Sequence, residues 1–196
     1  MKLEKRLLRL LIGRRRVEAL RLAKIMRSPD RATLINAYLP AFAAEGGRIL
    51  WVGCREYTAA YPAMLEAYGA EVWTTDIDEV AETWGRAGRH RTGNIRQADQ
   101  LFADLKFDAV LCNGVLGCGV NSPEDQAQAL EALAMVLKPG GRLLLGWNHD
   151  RIADPVASGL ISADFVASAF ANLPQRVTYD RVTHVFDHFR RSPLSA

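Results

Sequence analysis

The feature that most constrains the fold is a short apolar run, residues 49–52 (ILWV), which is followed at once by Gly53. An unbroken apolar run of this length, preceded by Gly46 and Gly47, is typical of a strand buried on both faces of a parallel sheet. A helix is predicted after it, over residues 57–68, with alanines and Leu65 on its inner face. A strand, a glycine turn and a helix start create a binding site, because free N–H groups and the positive end of the helix dipole face the strand's carboxyl end.

A carboxylate ends the second predicted strand. This strand covers residues 71–75, and Asp76 follows it. At the tip of the second strand of a βαβ unit, about twenty residues after the glycine turn, an aspartate is placed to accept hydrogen bonds from both ribose hydroxyls. The alternative role for Asp76 is to cap the next helix together with Asp78. The glycine turn and the acidic strand tip together predict a nucleoside pocket.

The rest of the chain alternates between strands and helices. Further strands are predicted over residues 90–95, 107–112 and 142–147, and helices over residues 30–44, 78–84, 122–137 and 162–170. The last two strands, residues 175–180 and 183–190, are so close in sequence that they can pair only as antiparallel neighbours. The expected fold is a Rossmann-like α/β three-layer sandwich, with a mostly parallel seven-stranded sheet that ends in an antiparallel β-hairpin. A nicotinamide-binding domain is disfavoured, because no G-x-G-x-x-G sequence follows the first strand.

Four segments, residues 49–58, 72–78, 107–119 and 137–148, resemble the class I S-adenosylmethionine-dependent methyltransferases. The most specific is residues 137–147 (LKPGGRLLLGW), which match the family's helix end, "LKPGG" turn and fifth strand. The first loop departs from the family's E/D-x-G-x-G-x-G pattern. Gly53 is present, but Arg55 and Tyr57 stand at the other two glycine positions and Trp51 at the acidic one. The resemblance implies S-adenosylmethionine as cofactor, with a variant first glycine loop.

The resemblance also implies a set of cofactor contacts. Gly53 would form the backbone turn, Asp76 would hold the ribose hydroxyls, and the residues after the fourth strand would flank the methionine end. Asn94 either faces the adenine edge, where the family often has an acidic residue, or only forms a turn. Tyr57 either reaches the carboxylate end of the cofactor or merely packs, and the neighbouring thiol is either a contact or a packed, unreactive group. The full set of predicted cofactor-binding residues is Gly53, Cys54, Tyr57, Asp76, Ile77, Asn94, Asn113 and Gly114.

Methyl transfer from a sulfonium needs few catalytic side chains. The protein must hold donor and acceptor in line, about 3 Å apart, and exclude water. If the acceptor is a hydroxyl or an amine, a base can take its proton. His149, just past the fifth strand, is the candidate base by position, with a structural histidine as the alternative. His184 and His188 share one strand face and form either a metal pair or packing contacts; no metal site is predicted, because the cysteines lack zinc-ligand spacing.

The N-terminal segment is strongly basic. Residues 1–31 contain eleven Lys and Arg and three Asp and Glu, whereas the whole chain has a net charge of +3. Residues 1–45 are therefore predicted to be a basic helical extension, and residues 46–196 the α/β domain. The extension either packs on the domain or contacts an anionic membrane surface. Nucleic acid is disfavoured as a partner, because no aromatic residue is interleaved with the arginines.

Three functions follow as hypotheses. The first is S-adenosylmethionine-dependent methyl transfer to a small-molecule or glycan-type acceptor. The second is a non-catalytic binding or regulatory protein of the same fold, and the third is a membrane-surface protein that acts through its basic arm. No apolar run reaches the ~18–20 residues that span a bilayer, and the N-terminal apolar stretch is short for a secretory signal. A cytoplasmic protein is expected.

Overall fold

The structure, a computed structural model, describes Leu20, Ala23, Ile25 and residues 27–192. Most of the predicted basic arm therefore lies outside the described residues, and the domain boundary at residue 45 stays a prediction. Within the described part of the chain, no helix is both long and apolar enough to cross a membrane.

The described helices and strands alternate along the chain. Helix α1 is continuous through Pro29–Thr33, a wider π-type turn Leu34–Tyr38, and Leu39–Glu45. The other α-helices are α2 (Tyr61–Glu66), α3 (Ala98–Leu101) and α4 (Pro123–Val136). Short 3₁₀ helices cover Glu56–Thr58, Glu79–Trp84 and Ile95–Gln97. The strands are β1 (Arg48–Val52), β2 (Glu71–Asp76), β3 (His90–Thr92), β4 (Phe107–Asn113), β5 (Leu137–Asn148), β6 (Phe165–Ala167), β7 (Arg176–Val177) and β8 (His184–Arg191).

The strands form one sheet in the order β3-β2-β1-β4-β5-β8-β6, with β7 also paired to β8. Strands β1 to β5 are parallel, and β8 runs antiparallel to β5, β6 and β7. The predicted Rossmann-like architecture, a mostly parallel sheet with an antiparallel end, is confirmed. The sheet has eight strands, one more than the seven expected, because β6 adds an edge strand beyond β8.

The helix predicted over residues 162–170 is wrong, since β6 occupies this segment. Phe165 packs on Phe189 on one face of the sheet, with 6.0 Å between ring centroids. Phe170 packs on Phe42 on the other face, at 4.6 Å. An extended chain sends residues separated by an odd number of positions to opposite faces, which lets both rings be buried. The helix predicted over residues 57–68 begins only at Tyr61, where Pro62 occupies the first turn and needs no hydrogen-bond acceptor.

Strand β1 is buried on both faces, as its apolar run predicts. Leu50 and Val52 pack into the core beneath α3 and α4, whereas Ile49 and Trp51 pack into the second core beneath α1 and α2. The sheet is thus the middle of three layers. Because α1 leads through Gly46 and Gly47 into the start of β1, its own first turn lies near the opposite, carboxyl end of the strands. That end carries the candidate site.

Candidate functional site

A cavity of about 230 Å³ opens at the carboxyl end of the parallel strands. Its wall is formed by the segments that follow β1, β2, β3 and β4, together with one residue of α1. Seven of the predicted site residues line it, namely Gly53, Tyr57, Asp76, Ile77, Asn94, Asn113 and Gly114. Two predicted residues, Cys54 and His149, are not part of the wall. The volume is below the about 300–1,000 Å³ typical of small-molecule pockets.

Gly53 makes the turn that opens the cavity. Its φ of +89° lies in the left-handed region, which side-chain-bearing residues rarely adopt. Its N–H donates to the Thr75 carbonyl oxygen at 2.9 Å, and its carbonyl oxygen accepts from Trp51 Nε1 at 2.9 Å. A Cβ at this position would stand 3.3 Å from the Val115 side chain, which faces it across the cavity floor. The position therefore requires glycine for its backbone conformation, with little room to spare.

The Asp76 carboxylate is buried and already holds three hydrogen-bond donors. Oδ2 accepts from the Cys54 N–H at 2.9 Å and from Arg55 Nη1 at 2.8 Å, and Oδ1 accepts from the Asp78 N–H at 3.0 Å. A carboxylate offers about four lone-pair sites, so about one remains for a ligand. Two ribose hydroxyls need two acceptor sites. Arg55 consequently competes with a ribose at Asp76, and its side chain takes up part of the cavity.

Cys54 faces the interior of the protein. Its thiol is buried, and burial, followed by the nearby Asp76 charge, raises its pKa to about 12. The thiol is therefore protonated and unreactive at neutral pH. Its backbone N–H still serves the site indirectly, because that group orients the Asp76 carboxylate.

The predicted adenine end contains one apolar and one amide side chain. Ile77 is 67% exposed at the cavity rim, where a flat apolar ligand would cover it. Asn94 Oδ1 caps the following turn by accepting from Arg96 N–H at 3.1 Å and Arg96 Nε at 3.3 Å. The amide oxygen is thus engaged, and the NH₂ group of Asn94 is what remains for a ligand.

Asn113 and Gly114 lie at the end of β4, on the other side of Gly53. Asn113 is buried, and its Oδ1 has no hydrogen-bond partner among the described residues. Gly146 makes room for this amide, since a Cβ there would be 2.0 Å from Asn113 Oδ1. Gly114 adopts a φ of +72° and donates its N–H to the Gly146 carbonyl oxygen at 2.8 Å. A buried acceptor without a donor on a cavity wall suits a ligand that brings a donor or a positive charge.

Arg31, from the first turn of α1, also lines the cavity and was not predicted as a site residue. Its guanidinium carbon lies 4.9 Å above the Tyr57 ring centroid. The helix start at Ser28 and Pro29 was readable from the sequence. Which side chain of the first turn would point into the cavity depends on how α1 packs against the sheet, and that is a tertiary property.

The histidines lie outside the cavity wall. His149 is exposed beyond β5, and its backbone N–H donates to the Thr183 carbonyl oxygen at 2.9 Å. His184 and His188 are buried, and burial lowers the pKa of each to about 4. His188 stacks on Phe170 at 4.8 Å. Among the described residues, no group of three or more His, Cys, Asp or Glu side chains is placed to hold a metal ion.

Comparison with known proteins agrees with this geometry. Residues 50–145 match the family described as "Methyltransferase domain". The predicted resemblance to the class I S-adenosylmethionine-dependent methyltransferases is thereby confirmed. No curated protein matches the chain in sequence. The cofactor of the domain is S-adenosylmethionine.

Solved structures show the same fold. The methyltransferase domain is similar to N-methyltransferase NodS from Bradyrhizobium japonicum WM9 in complex with S-adenosyl-L-homocysteine, with a TM-score of 0.65, 14% identity, and coverage of 86% of this chain and 90% of that one. A TehB-like SAM-dependent methyltransferase from Corynebacterium glutamicum aligns with a TM-score of 0.59, 17% identity, and coverage of 79% and 88%. At these identities the likeness concerns the fold.

Proposed function

We propose that this protein transfers a methyl group from S-adenosylmethionine to a small-molecule or glycan-type acceptor. The observation that carries the proposal is the convergence of Gly53, Asp76 and Asn113 from three neighbouring parallel strands on one cavity. When bound, the cofactor supplies a methyl group that is already activated by its sulfonium. The protein's part is then to bind and orient the two reactants and to exclude water.

The cavity residues fit the parts of this cofactor. Asp76 would accept a ribose hydroxyl, and Ile77 would cover one face of the adenine. The unpartnered Asn113 Oδ1 would accept a hydrogen bond from the ammonium group at the methionine end, which satisfies a buried atom that the protein alone leaves unpaired. The candidate base His149 stays a prediction, since its side chain is exposed outside the cavity wall.

A second candidate is a non-catalytic binding protein. The observation that favours it is the ion pair between Arg55 and Asp76, which fills one of the acceptor positions that a ribose would use. In that case Arg55 would act as a fixed wall of the cavity. The two candidates differ in whether the cofactor binds and whether its methyl group reaches any acceptor.

The test is isothermal titration of the full chain with S-adenosylhomocysteine. Asp76→Ala should weaken binding by about 1.5–3 kcal/mol, the free energy of a lost charge-assisted hydrogen bond. Asp104→Ala is the matched control, because Asp104 is also paired with an arginine but is exposed and away from the cavity wall. Absence of binding by the wild type would exclude methyl transfer and favour the second candidate. Binding without methyl transfer from labelled cofactor to any fractionated acceptor pool would favour the second.

A further inference from the structure

We propose that Arg31 binds an anionic group of the acceptor, a carboxylate or a phosphate. This inference rests on the proposed methyl transfer and names the chemical class of its acceptor. It starts from one residue of the cavity wall, Arg31, whose Nη1 has no hydrogen-bond acceptor among the described residues.

The Arg31 guanidinium is largely buried and incompletely paired. Its side chain is 11% exposed, and Nη1 has no hydrogen-bond partner among the described residues. The nearest carboxylate, Asp30, lies 3.8 Å from Nε, which is too long for a hydrogen bond. A buried charged donor without an acceptor is costly, so such a group at a cavity wall indicates that a ligand completes it.

The other arginines of the cavity do not share this property. Arg55 is paired with Asp76, and Arg96 is paired with Asp125. Asp76 is the one carboxylate in the described wall, and it is already engaged by three donors. The wall is therefore cationic overall, and Arg31 is where its hydrogen-bonding capacity is unmet. A cationic cavity raises the local concentration of anionic ligands.

Two tyrosines shape the space around the guanidinium. The Tyr57 ring lies beneath it and limits its movement. The Tyr61 hydroxyl is buried without a hydrogen-bond partner among the described residues. Burial raises the pKa of Tyr61, and the adjacent Arg31 guanidinium lowers it in part through its charge and a side-chain contact, so the phenol stays protonated beside Arg31. Tyr61 is not part of the cavity wall, so Arg31 is the donor that an oxyanion in the cavity would meet.

The position of Arg31 favours the acceptor over the cofactor. Asp76 lies on β2, whereas Arg31 comes from α1, which packs on one face of the sheet through Leu34, Tyr38 and Phe42. The cofactor would extend from Asp76 past Gly53 to Asn113 on β4. Arg31 thus enters the cavity from α1 and not from the strand ends that would carry the cofactor, and this is the side from which an acceptor would approach.

The experiment titrates the full chain, saturated with S-adenosylhomocysteine, with benzoate and with inorganic phosphate at constant ionic strength. Benzamide is the neutral match for benzoate. The variants are Arg31→Gln, Arg31→Lys and, as a control, Arg86→Gln, whose arginine is paired with Glu66 outside the cavity wall. Thermal melts verify that each variant is folded. We expect at least one anion to bind the wild type. Its affinity for Arg31→Gln should be at least about tenfold lower than for the wild type, its affinity for Arg31→Lys should be intermediate, and its affinity for Arg86→Gln should be unchanged.

Several results would overturn the proposal. The proposal fails if neither anion saturates the wild type, or if Arg31→Gln binds both anions as tightly as the wild type does. It also fails if benzamide binds as well as benzoate. Another such result is that Arg31→Gln weakens S-adenosylhomocysteine but not 5′-methylthioadenosine, since Arg31 would then hold the cofactor's own carboxylate. Binding of phosphate alone or benzoate alone would identify which anion the acceptor carries. If S-adenosylhomocysteine itself fails to bind, the proposed function falls, and the anion titration of the unloaded protein still tests Arg31.

Discussion

Removal of the Arg55 side chain should tighten cofactor binding. Arg55 stands where the family pattern has a glycine, and its Nη1 donates to Asp76 Oδ2 at 2.8 Å. A ribose that needs two acceptor sites on Asp76 must displace this bond, because only about one site is free. Arg55→Ala removes the competitor in advance and also enlarges the cavity.

The magnitude follows from the exposure of the two partners. Hydrogen bonds to charged groups contribute about 1.5–3 kcal/mol, but exposed ion pairs contribute about 0.2–1 kcal/mol. The Arg55 side chain is 46% exposed and the Asp76 side chain 4%, so the pair falls near the boundary of the two ranges. A gain of about 1 kcal/mol corresponds to about fivefold tighter binding.

The assay is isothermal titration with S-adenosylhomocysteine in a double-mutant cycle. Arg55→Ala and Asp76→Ala are measured singly and together, with Arg55→Lys as the variant that keeps the charge. If Arg55 acts by competing at Asp76, its removal should have no effect once Asp76 is alanine. Weaker binding by Arg55→Ala than by the wild type would refute the reasoning, because Arg55 would then be a cofactor ligand.

Three further variants or conditions test the framework around the site. Gly146→Ala would place a Cβ 2.0 Å from Asn113 Oδ1, so we expect weaker S-adenosylhomocysteine binding and a loss of stability of about 1–3 kcal/mol in urea denaturation. Asp187→Ala removes a buried acceptor that Arg176 contacts at 2.6 and 3.0 Å, and should lower the unfolding free energy by about 1.5–3 kcal/mol in the same assay. Burial keeps His188 neutral with a pKa of about 4, below its unfolded value, so its stability contribution is complete above about pH 6.5 and is lost as pH falls toward 4. Urea midpoints should decrease across that range, and His188→Phe should make the decrease smaller, with His184 accounting for part of what remains.

The sheet could be predicted because its strands are marked by local residue patterns in the sequence. The apolar run of β1, the Asp76 tip of β2 and the "LKPGG" turn before the main part of β5 each mark a position by residue type alone. The segment 162–170 carries no comparable signal, since its two phenylalanines suit either a helix or an extended edge strand. The segment is a strand because it pairs with β8, and this pairing joins residues that are far apart in sequence.

The site was predictable only as far as backbone position determines it. Strand order alone brings Gly53, Asp76 and Asn113 to one edge of the sheet. The Arg55 bond to Asp76 and the place of Arg31 depend on side-chain direction and on the packing of α1, which the sequence pattern does not specify. His149 shows the converse, since it directly follows the end of β5 and its side chain still lies outside the cavity wall.

The loss of two glycines from the first loop can be understood from backbone angles. Among the described residues, the side-chain-bearing ones with positive φ are Ala171 and Asn172, so neither Arg55 nor Tyr57 occupies a conformation that requires glycine. Arg55 has an extended φ of −143°. Its N–H and carbonyl oxygen are both held by Thr58, through bonds of 2.9 and 2.8 Å to Oγ1 and the backbone N–H.

Gly53 alone needs its backbone freedom, and it is retained. The Trp51 indole bond to its carbonyl and the Cys54 N–H bond to Asp76 fix the rest of the turn. The two substitutions therefore leave the fold unstrained and act on the cavity instead. Arg55 forms an ion pair with Asp76, the carboxylate that would bind the ribose, and the Tyr57 ring packs against the Arg31 guanidinium. We therefore expect this loop to lower cofactor affinity, while the cationic wall that it helps to form would suit the anionic acceptor proposed above.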